Sequence, residues 1–218
     1  MDKNVLLWEN VYQWNKENKN NLVYPDEEVI RIIKKFFIPS GAQSVLDAGC
    51  GSGRHSLALL REGFEVRALD SSQTALEIAS ELTAPYGNKI KYELGNLTCL
   101  PFEDASFDAV LCWGVLHYLS SEEFSQALNE LYRVLKPGGY FGLTLRSTAD
   151  SECNIDNAQQ MQKANATECK NMFFKYFSKS DIFAHLNAFT EIHSGHKTRS
   201  VFEKDERTIA HWFIAAKK

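Results

Sequence analysis

The stretch of sequence that most constrains the fold is residues 44–62. Residues 44–48 are a short apolar run bounded by glycines, which is typical of a buried strand. Glycines follow at positions 49, 51 and 53, and residues 54–62 then have a helical pattern. Glycine lets a chain turn sharply and come close to a ligand, because it has no Cβ. The stretch therefore predicts a strand, a glycine-rich turn and a helix, and open α/β sheets bind ligands at such turns.

Strand-like and helix-like segments alternate through the first 146 residues. Further strands are expected over residues 64–69, 90–94, 107–113 and 140–145. Helices are expected over residues 26–37, from Ser71 or Ser72 to Leu82, and over residues 122–135. The fourth strand is almost wholly apolar, as a strand covered on both faces should be. This alternation predicts a parallel sheet with helices on both sides.

The two ends of the chain carry weaker patterns. Residues 1–25 mix aromatic and polar side chains, and residues 147–170 are polar enough to predict an insertion or a lid, with one marginal helix around residues 157–165. Ser178 and Asp181 have the spacing of a capping box for a last helix that ends near Leu186. Two strand-like runs, separated by a segment rich in His, Lys and Arg, then predict an antiparallel hairpin over residues 189–194 and 208–216.

Composition excludes several classes of protein. The chain has 24 Lys and Arg against 28 Asp and Glu, a net charge of −4, so it has no basic excess to bind nucleic acid. Its longest apolar run, residues 109–116, is far shorter than the ~20 residues of a membrane-spanning helix. No basic region followed by an apolar stretch begins the sequence, so we expect a cytoplasmic protein with reduced cysteines. The five cysteines lack metal-type spacing, and no metal is expected.

The details of the glycine-rich turn restrict the ligand. The pattern is Asp-x-Gly-x-Gly-x-Gly from Asp47 to Gly53, and Arg54 stands where a dinucleotide fingerprint requires its third glycine. No Gly-Lys-Ser/Thr follows, so the turn is not a P-loop either. An acidic residue inside the motif is poorly placed beside a pyrophosphate. It suits a cationic group, such as an amino-acid ammonium or a sulfonium.

This turn resembles motif I of the class I S-adenosylmethionine (SAM)-dependent methyltransferases. The resemblance is strong over residues 40–146 and looser over residues 177–218, and the nearest subgroup is the small-molecule, type 11-like one. Further stretches that match the family in order are Leu69-Asp70, Gly95-Asn96-Leu97, Leu100-Pro101-Phe102, Ser106-Phe107-Asp108 and Leu131-x-Arg133-Val134-Leu135-Lys136-Pro137-Gly138-Gly139. The resemblance implies a Rossmann-like, doubly wound α/β sheet of seven strands, mostly parallel with the last strand antiparallel.

The resemblance also implies one domain and a cofactor site. The domain would comprise an N-terminal lid or helix, a SAM-binding core, an insertion or substrate lid, and a last helix with the hairpin, over residues 1–40, 41–146, 147–177 and 178–218. Asp70 would bind the ribose hydroxyls, and Asn96 would lie beside the adenine, where the family commonly has an acidic residue. The residues expected to bind SAM are Asp47, Gly49, Cys50, Gly51, Gly53, Arg54, Asp70, Ser71, Asn96, Leu97 and Trp113.

Several of these residues also have a structural interpretation. Asp47 either faces the methionine ammonium of SAM or caps the helix that follows the turn. Asp70 could instead be a helix N-cap. Trp113 is either a wall of the substrate pocket or a packed core residue.

Two residues are candidates for a catalytic role. Methyl transfer is an in-line displacement, so positioning and water exclusion are the main tasks. Tyr12, Trp14 and Tyr24 lie in the segment that often folds over SAM in the family, although these aromatics could simply pack the first helix onto the sheet. His117 is a candidate general base or a structural histidine, and Tyr12 is the second catalytic candidate. Trp14, Trp113 and His117 are expected to contact substrate. His193, His196 and His211 are expected on the surface, and His55 either lies on the helix surface or borders the pocket.

The leading functional hypothesis is methyl transfer from SAM to a small molecule, with S-adenosylhomocysteine as product. RNA or protein methylation is disfavoured, because Cys112-Trp113-Gly114-Val115 replaces the Asn-Pro-Pro-Tyr-type motif. A non-catalytic SAM-binding scaffold stays open, and a nicotinamide-dependent oxidoreductase is disfavoured by Arg54. The expected partners exclude nucleic acid and membrane, and the choice between monomer and homodimer is open.

Overall fold

The computed structural model describes residues 3–153, 174–201 and 204–218. Within these ranges one sheet contains eight strands, in the spatial order β3-β2-β1-β4-β5-β8-β7, with β6 beside the end of β5. The strands are β1 Ser44–Ala48, β2 Glu65–Asp70, β3 Ile90–Leu94, β4 Phe107–Cys112, β5 Leu135–Ser147, β6 Tyr176–Phe177, β7 Glu191–Val201 and β8 Lys204–Lys217. Strands β1 to β5 pair in parallel, and β8 runs antiparallel to both β5 and β7. The expected Rossmann-like α/β sheet and its hairpin are confirmed.

Helices connect the strands and begin at recognisable caps. They are α1 Lys3–Glu17, α2 Glu27–Ile32, α3 Arg54–Arg61, α4 Gln73–Thr83, α5 Ser121–Val134 and α6 Lys179–His185, and a π-helical turn, Ile33–Phe37, extends α2. Ser72 caps α4, because its hydroxyl accepts the N–H of Ala75. Ser178 and Asp181 form the predicted capping box of α6. No described helix is long and apolar enough to cross a membrane.

Two hydrophobic clusters cover the two faces of the sheet. Alternate residues of a strand point to opposite faces, so Val45 belongs to one cluster and Leu46 to the other. The cluster that contains Val45 packs β1 and β4 against α2, α3 and α4. The cluster that contains Leu46 packs them against α5 and α6. Helices therefore lie on both faces, as the alternating pattern predicted.

The strand count differs from the seven expected, because β5 is longer than the sequence suggests. Its last residues, Arg146 and Ser147, extend past the end of β4 and leave a free edge, with which Tyr176 and Phe177 pair in parallel. The indole N–H of Trp212 donates to the Phe177 carbonyl over 2.9 Å and holds this short strand. The result is an additional two-residue strand.

The start of β5 also differs from the prediction. Residues 136–139 were expected to separate a helix from a strand, but they form an irregularity inside β5, between the pairs Phe107–Leu135 and Ala109–Tyr140. A Cβ at Gly139 would lie 2.6 Å from the Asp108 carbonyl oxygen, so the close passage beside β4 requires glycine.

The ends of the chain contain more regular structure than the sequence indicated. Residues 3–17 are helical, and the basic segment between the two predicted hairpin strands lies largely within β7 and β8. The helix expected around residues 157–165 lies outside the described residues. The long hairpin and α1 matter because both reach the carboxyl ends of the parallel strands.

Candidate active site

A cavity of about 730 Å³ lies at the carboxyl ends of β1, β2, β3 and β4, and α1 and the β7–β8 hairpin close it from outside. Such a volume is typical of small-molecule sites. Of the residues expected to form the site, the structure brings eleven to its wall: Tyr12, Gly49, Cys50, Gly51, Arg54, Asp70, Ser71, Asn96, Leu97, Trp113 and His117.

Backbone hydrogen bonds fix the glycine-rich turn. The N–H groups of Gly49 and Cys50 both donate to the Leu69 carbonyl, over 2.7 and 3.0 Å. Gly53 has φ +83° and begins α3, and a Cβ there would lie 2.8 Å from the Ala79 Cβ. Gly53 is therefore a packing residue between α3 and α4, and it lies behind the cavity wall rather than in it.

Gly51 has a different neighbour. It has φ +53°, and a Cβ at this position would overlap the hydroxyl of Tyr12 on α1. The close approach that glycine allows here is thus made by a side chain of the protein itself. Burial raises the pKa of the Tyr12 phenol well above its ordinary value, and the nearby Asp70 carboxylate raises it further, so Tyr12 stays protonated.

Asp70 ends β2 and joins two parts of the site. Its Oδ2 accepts the N–H of Gly51 over 2.8 Å, and its Oδ1 accepts the N–H of Ser72 over 3.0 Å. Burial raises the pKa of this carboxyl, although the backbone hydrogen bonds oppose the rise. A carboxylate offers about four acceptor positions. Asp70 therefore has the capacity to accept from a ligand hydroxyl as well.

Asp47 lies behind the turn, outside the cavity wall. The Ser56 hydroxyl donates to its Oδ2 over 2.6 Å, and its side chain is 1% exposed. Burial raises the pKa of Asp47 to about 6, against the lowering effect of the Ser56 hydrogen bond. This position agrees with the helix-capping interpretation and provides no direct contact with a ligand in the cavity.

Asn96 and Leu97 form the wall beside the end of β3. The side-chain oxygen of Asn96 accepts both the N–H and the hydroxyl of Thr98, each over 3.1 Å. With its oxygen engaged by Thr98, the amide has its NH₂ left to donate to a ligand. A ring nitrogen of a purine is a suitable partner for such a donor, and Leu97, 6% exposed, supplies an apolar surface next to it.

The aromatic residues of α1 divide between the cavity and solvent. Trp8 lines the cavity and meets Tyr118 edge to face, with ring centroids 5.0 Å apart. Trp14, which was expected to bind substrate, is 40% exposed and lies outside the wall. Tyr24 is 81% exposed and also lies outside it. Helical spacing from Tyr12 explains the difference, because Trp8 is one turn away on the same face, whereas Trp14 is two positions further along.

Two buried histidines line the cavity next to β4. Of the two positions considered for His55, the structure has the pocket border rather than the helix surface, since His55 is 4% exposed and its ring lies 6.3 Å from that of Trp113. His117 is 2% exposed, and its Nδ1 has no hydrogen-bond partner within the described part of the chain. Burial lowers the pKa of His117 to about 3, with His211 and Arg146 contributing. Both imidazoles are therefore neutral near pH 7.

The hairpin contributes residues that the sequence did not indicate. Lys197 and Arg199 of β7 and Ile209, His211 and Phe213 of β8 line the cavity. His211 is half-buried and lines the cavity rather than lying on the hairpin surface as expected, and burial lowers its pKa to about 4. Because the two strands are longer than predicted, the alternation of their cavity-facing residues was not recognisable in advance.

Side chains hold α1 over the site. Glu9 accepts hydrogen bonds from the Ser72 hydroxyl over 2.7 Å and from the hydroxyl of Thr74, at the beginning of α4. Lys16 of α1 forms a salt bridge of 2.8 Å with Glu77, which also lies on α4. Further along, the Ser52 hydroxyl donates to the Leu22 carbonyl over 3.2 Å. The N-terminal region is therefore attached to the turn and to α4 from outside.

Comparison with known proteins identifies the region that carries this site. The family model described as "Methyltransferase domain" matches residues 45–139. This region is a methyltransferase domain. It contains the glycine-rich turn, Asp70, Asn96 and Trp113.

Curated relatives share this domain and little else of their length. The chain is 47% identical over 98 residues to a malonyl-[acyl-carrier protein] O-methyltransferase of Erwinia billingiae, which covers 44% of this chain and 36% of that protein. It is 37% identical over 102 residues to a demethylmenaquinone methyltransferase of Symbiobacterium thermophilum, covering 44% of this chain and 40% of the relative. The aligned part thus spans about two fifths or less of these relatives.

Solved structures share the fold over more of the chain. The 1,6-didemethyltoxoflavin-N1-methyltransferase of Burkholderia thailandensis, solved with bound 1,6-didemethyltoxoflavin and S-adenosylhomocysteine, has a TM-score of 0.71 at 18% identity, covering 99% of this chain and 89% of that one. TehB of Haemophilus influenzae has a TM-score of 0.66 at 17% identity, covering 95% and 66%. The methyltransferase domain and the elements around it therefore have the class I methyltransferase fold.

Proposed function

We propose that the protein is an enzyme that transfers a methyl group from SAM to a small-molecule acceptor and releases S-adenosylhomocysteine. The observation that carries this proposal is that the glycine-rich turn and Asp70 of the methyltransferase domain form one end of a cavity whose remaining wall includes aromatic side chains and the cations Lys197 and Arg199. The names of the relatives and the ligands of the Burkholderia structure support the same cofactor and reaction.

The residues around the turn are suited to SAM. Asp70 accepts the ribose hydroxyls, and Asn96 donates to a ring nitrogen of the adenine, which also packs on Leu97. The methionine part lies along Gly49, Cys50 and Gly51. Asp47 acts from behind the turn, where its negative charge favours the ammonium and sulfonium groups without touching them.

The acceptor occupies the space between this cofactor site, α1 and the hairpin. Displacement at the methyl carbon neutralises the sulfonium, so alignment and water exclusion matter most. Trp8, Tyr12 and Trp113 provide aromatic walls, which favour a nearby cation by about 0.5–2 kcal/mol. SAM brings the methyl group, and the protein holds the acceptor atom in line with it.

His117 and Tyr12 act as neutral hydrogen-bonding groups. His117 has a pKa of about 3, which is too low for an efficient general base near neutrality, and Tyr12 keeps its proton. His117 therefore orients the acceptor, and the phenol of Tyr12 donates a hydrogen bond. Neither group changes charge between pH 6 and pH 9, so neither His117 nor Tyr12 accounts for a rate that varies in that range.

The wider context is also part of the proposal. The net charge of −4 favours a small molecule over a nucleic acid as acceptor. The whole chain acts as one domain in the cytoplasm, as a monomer or a homodimer, and sedimentation equilibrium distinguishes these two states.

The test is turnover with a set of small-molecule acceptors. Wild-type protein is incubated with SAM and each acceptor, and S-adenosylhomocysteine is quantified against a reaction without acceptor. We expect release with at least one acceptor, and Asp70→Ala should reduce it. Tight SAM binding with no release for any acceptor would favour the scaffold alternative instead.

A further inference from the structure

One face of the β7–β8 hairpin forms the end of the cavity that lies away from the glycine-rich turn. Lys197 is paired with His211, Arg199 with Ile209, and Gly195 with Phe213. Alternate residues of a strand share a face, which explains why these side chains reach the cavity together. A Cβ at Gly195 would overlap the Phe213 ring, so glycine makes room for this ring at the base of the face. Lys197 and Arg199 follow along β7, further from the Gly195–Phe213 pair.

The carboxylates near this face already have partners. Asp26 caps α2 by accepting the N–H of Glu28 over 3.0 Å. Glu28 lies 3.6 Å from the guanidinium of Arg31 and 3.8 Å from the Lys197 ammonium, which is also 3.8 Å from Glu27. The positive charge of Lys197 is thereby largely balanced.

Arg199 differs from its neighbours in charge balance. Among the described residues, no ion pair to its guanidinium is formed, although it lines the cavity. The second cavity arginine, Arg54, donates to the Tyr24 carbonyl over 3.4 Å and lies within the field of Asp26. His211, whose imidazole also lines the cavity, is neutral near pH 7 and adds no charge. Arg199, which is exposed to solvent, therefore brings to this end of the cavity a positive charge that no described carboxylate pairs with.

We propose that Arg199 binds a carboxylate of the methyl acceptor, with Lys197 as a second, partly neutralised cation. The planar guanidinium matches a carboxylate in a two-hydrogen-bond geometry. One net charge suits a monoanion better than a phosphate dianion. The aromatic ring of Phe213 and the side chain of Ile209 contact the apolar part of the same molecule. This inference rests on the proposed function, because it names the substrate class of that site.

Charged residues on an edge strand also have a simpler role, since they prevent strands of other molecules from pairing there. That role requires only a charge at the edge and predicts no selectivity for ligands. The opposite edge strand, β3, supplies a matched control, because Lys91 lies there, exposed and far from the hairpin. Arg61, exposed at the end of α3, is the control for arginine.

The experiment is a titration of the full-length protein saturated with S-adenosylhomocysteine. The probes are acetate, butyrate, benzoate and phenylacetate, each with its matched primary amide, and inorganic phosphate. Binding is followed by the NMR signal of the arginine side-chain N–H groups. At least one carboxylate should bind saturably while its amide does not. Arg199→Gln should weaken that binding at least tenfold, Lys197→Gln less, and Lys91→Gln and Arg61→Gln not at all.

Three results would overturn the inference: no saturable carboxylate binding, binding unchanged in Arg199→Gln, or phosphate binding more tightly than every carboxylate. Binding of S-adenosylhomocysteine is measured first and separately. If that molecule does not bind, the proposed function fails, and the same carboxylate titration on the free protein then decides the anion site on its own.

Discussion

The cavity has two walls that are built by different means. The inner wall consists of the loops that follow β1, β2, β3 and β4, and backbone groups fix it: Gly49 and Cys50 donate to Leu69, and Gly95 donates to the Asp70 carbonyl over 3.0 Å. The outer wall consists of α1, residues 20–28 and the β7–β8 hairpin. Side chains such as Glu9 attach α1 to the rest.

This difference separates the two tasks of the proposed enzyme. A wall held by backbone hydrogen bonds keeps its shape through sequence change, and it suits a cofactor that does not vary. An attachment made by side chains, such as that of α1, is easily remodelled, and it suits an acceptor that differs between relatives. We therefore expect inner-wall substitutions to affect folding and cofactor binding, and outer-wall substitutions to affect closure and acceptor selection.

The largest effect should come from overfilling the space between α3 and α4, directly behind the inner wall. Gly53→Ala places a Cβ against Ala79, whereas Gly41→Ala, at φ +76°, meets nothing within 4 Å. Each substitution should lower the free energy of unfolding by about 1–2 kcal/mol, because alanine disfavours the left-handed backbone conformation. Gly53→Ala should lower it by roughly 1–3 kcal/mol more because of overpacking. Urea unfolding measures both. Equal costs would show that Gly53 is not needed for packing between α3 and α4.

The second effect is the pH dependence of stability due to Asp47. Its folded-state pKa of about 6 lies above the ordinary 3.8, so the folded protein binds more protons between these values and loses stability as the pH rises through 6. Asp47→Asn keeps an acceptor for Ser56 and removes this loss. Because one pKa unit is worth about 1.4 kcal/mol, the variant should gain up to roughly 3 kcal/mol relative to wild type between pH 4 and pH 7.

Urea unfolding at a series of pH values measures this gain. Glu103→Gln, at an exposed position, serves as its control and should follow the wild-type profile. A parallel profile for Asp47→Asn would mean that Asp47 ionises normally and is not the buried charge behind the turn.

The third effect concerns cofactor affinity. Asp70→Ala should weaken SAM binding by about 1–3 kcal/mol, the range for hydrogen bonds to a charged group. Calorimetry measures the affinity, and circular dichroism establishes that the variant is folded. An unchanged affinity for SAM would show that Asp70 does not bind the ribose hydroxyls.

The smallest effect should arise at the outer wall. Glu9→Gln weakens the attachment of α1 to Ser72 and Thr74, and we expect less than about 1 kcal/mol of lost stability, as for exposed charged contacts. Amide hydrogen exchange in residues 3–17 should become faster, and SAM should protect the same residues in wild type. Glu17→Gln, at the exposed end of α1, is the control. Absence of SAM-dependent protection would contradict the lid interpretation of α1.

The same contrast explains what could be predicted from the sequence. The inner wall has local signals, because its strands are short apolar runs and its turns require glycine, and Asp70 could be placed at the end of β2. The outer wall depends on contacts between distant positions, such as Glu9 with Ser72, 63 residues apart. Strand preference also depends on neighbouring strands, so the basic residues near 197 gave no sign that they pair with β8. For these reasons His211 and Arg199 could not be assigned to the site.

The central claim is that the methyltransferase domain binds SAM at the inner wall. The most direct test is calorimetric titration of the purified protein with SAM, S-adenosylhomocysteine and NADH in parallel. We predict saturable binding of the first two in the micromolar range and no heat from NADH. A folded protein that binds neither SAM nor S-adenosylhomocysteine would contradict the claim.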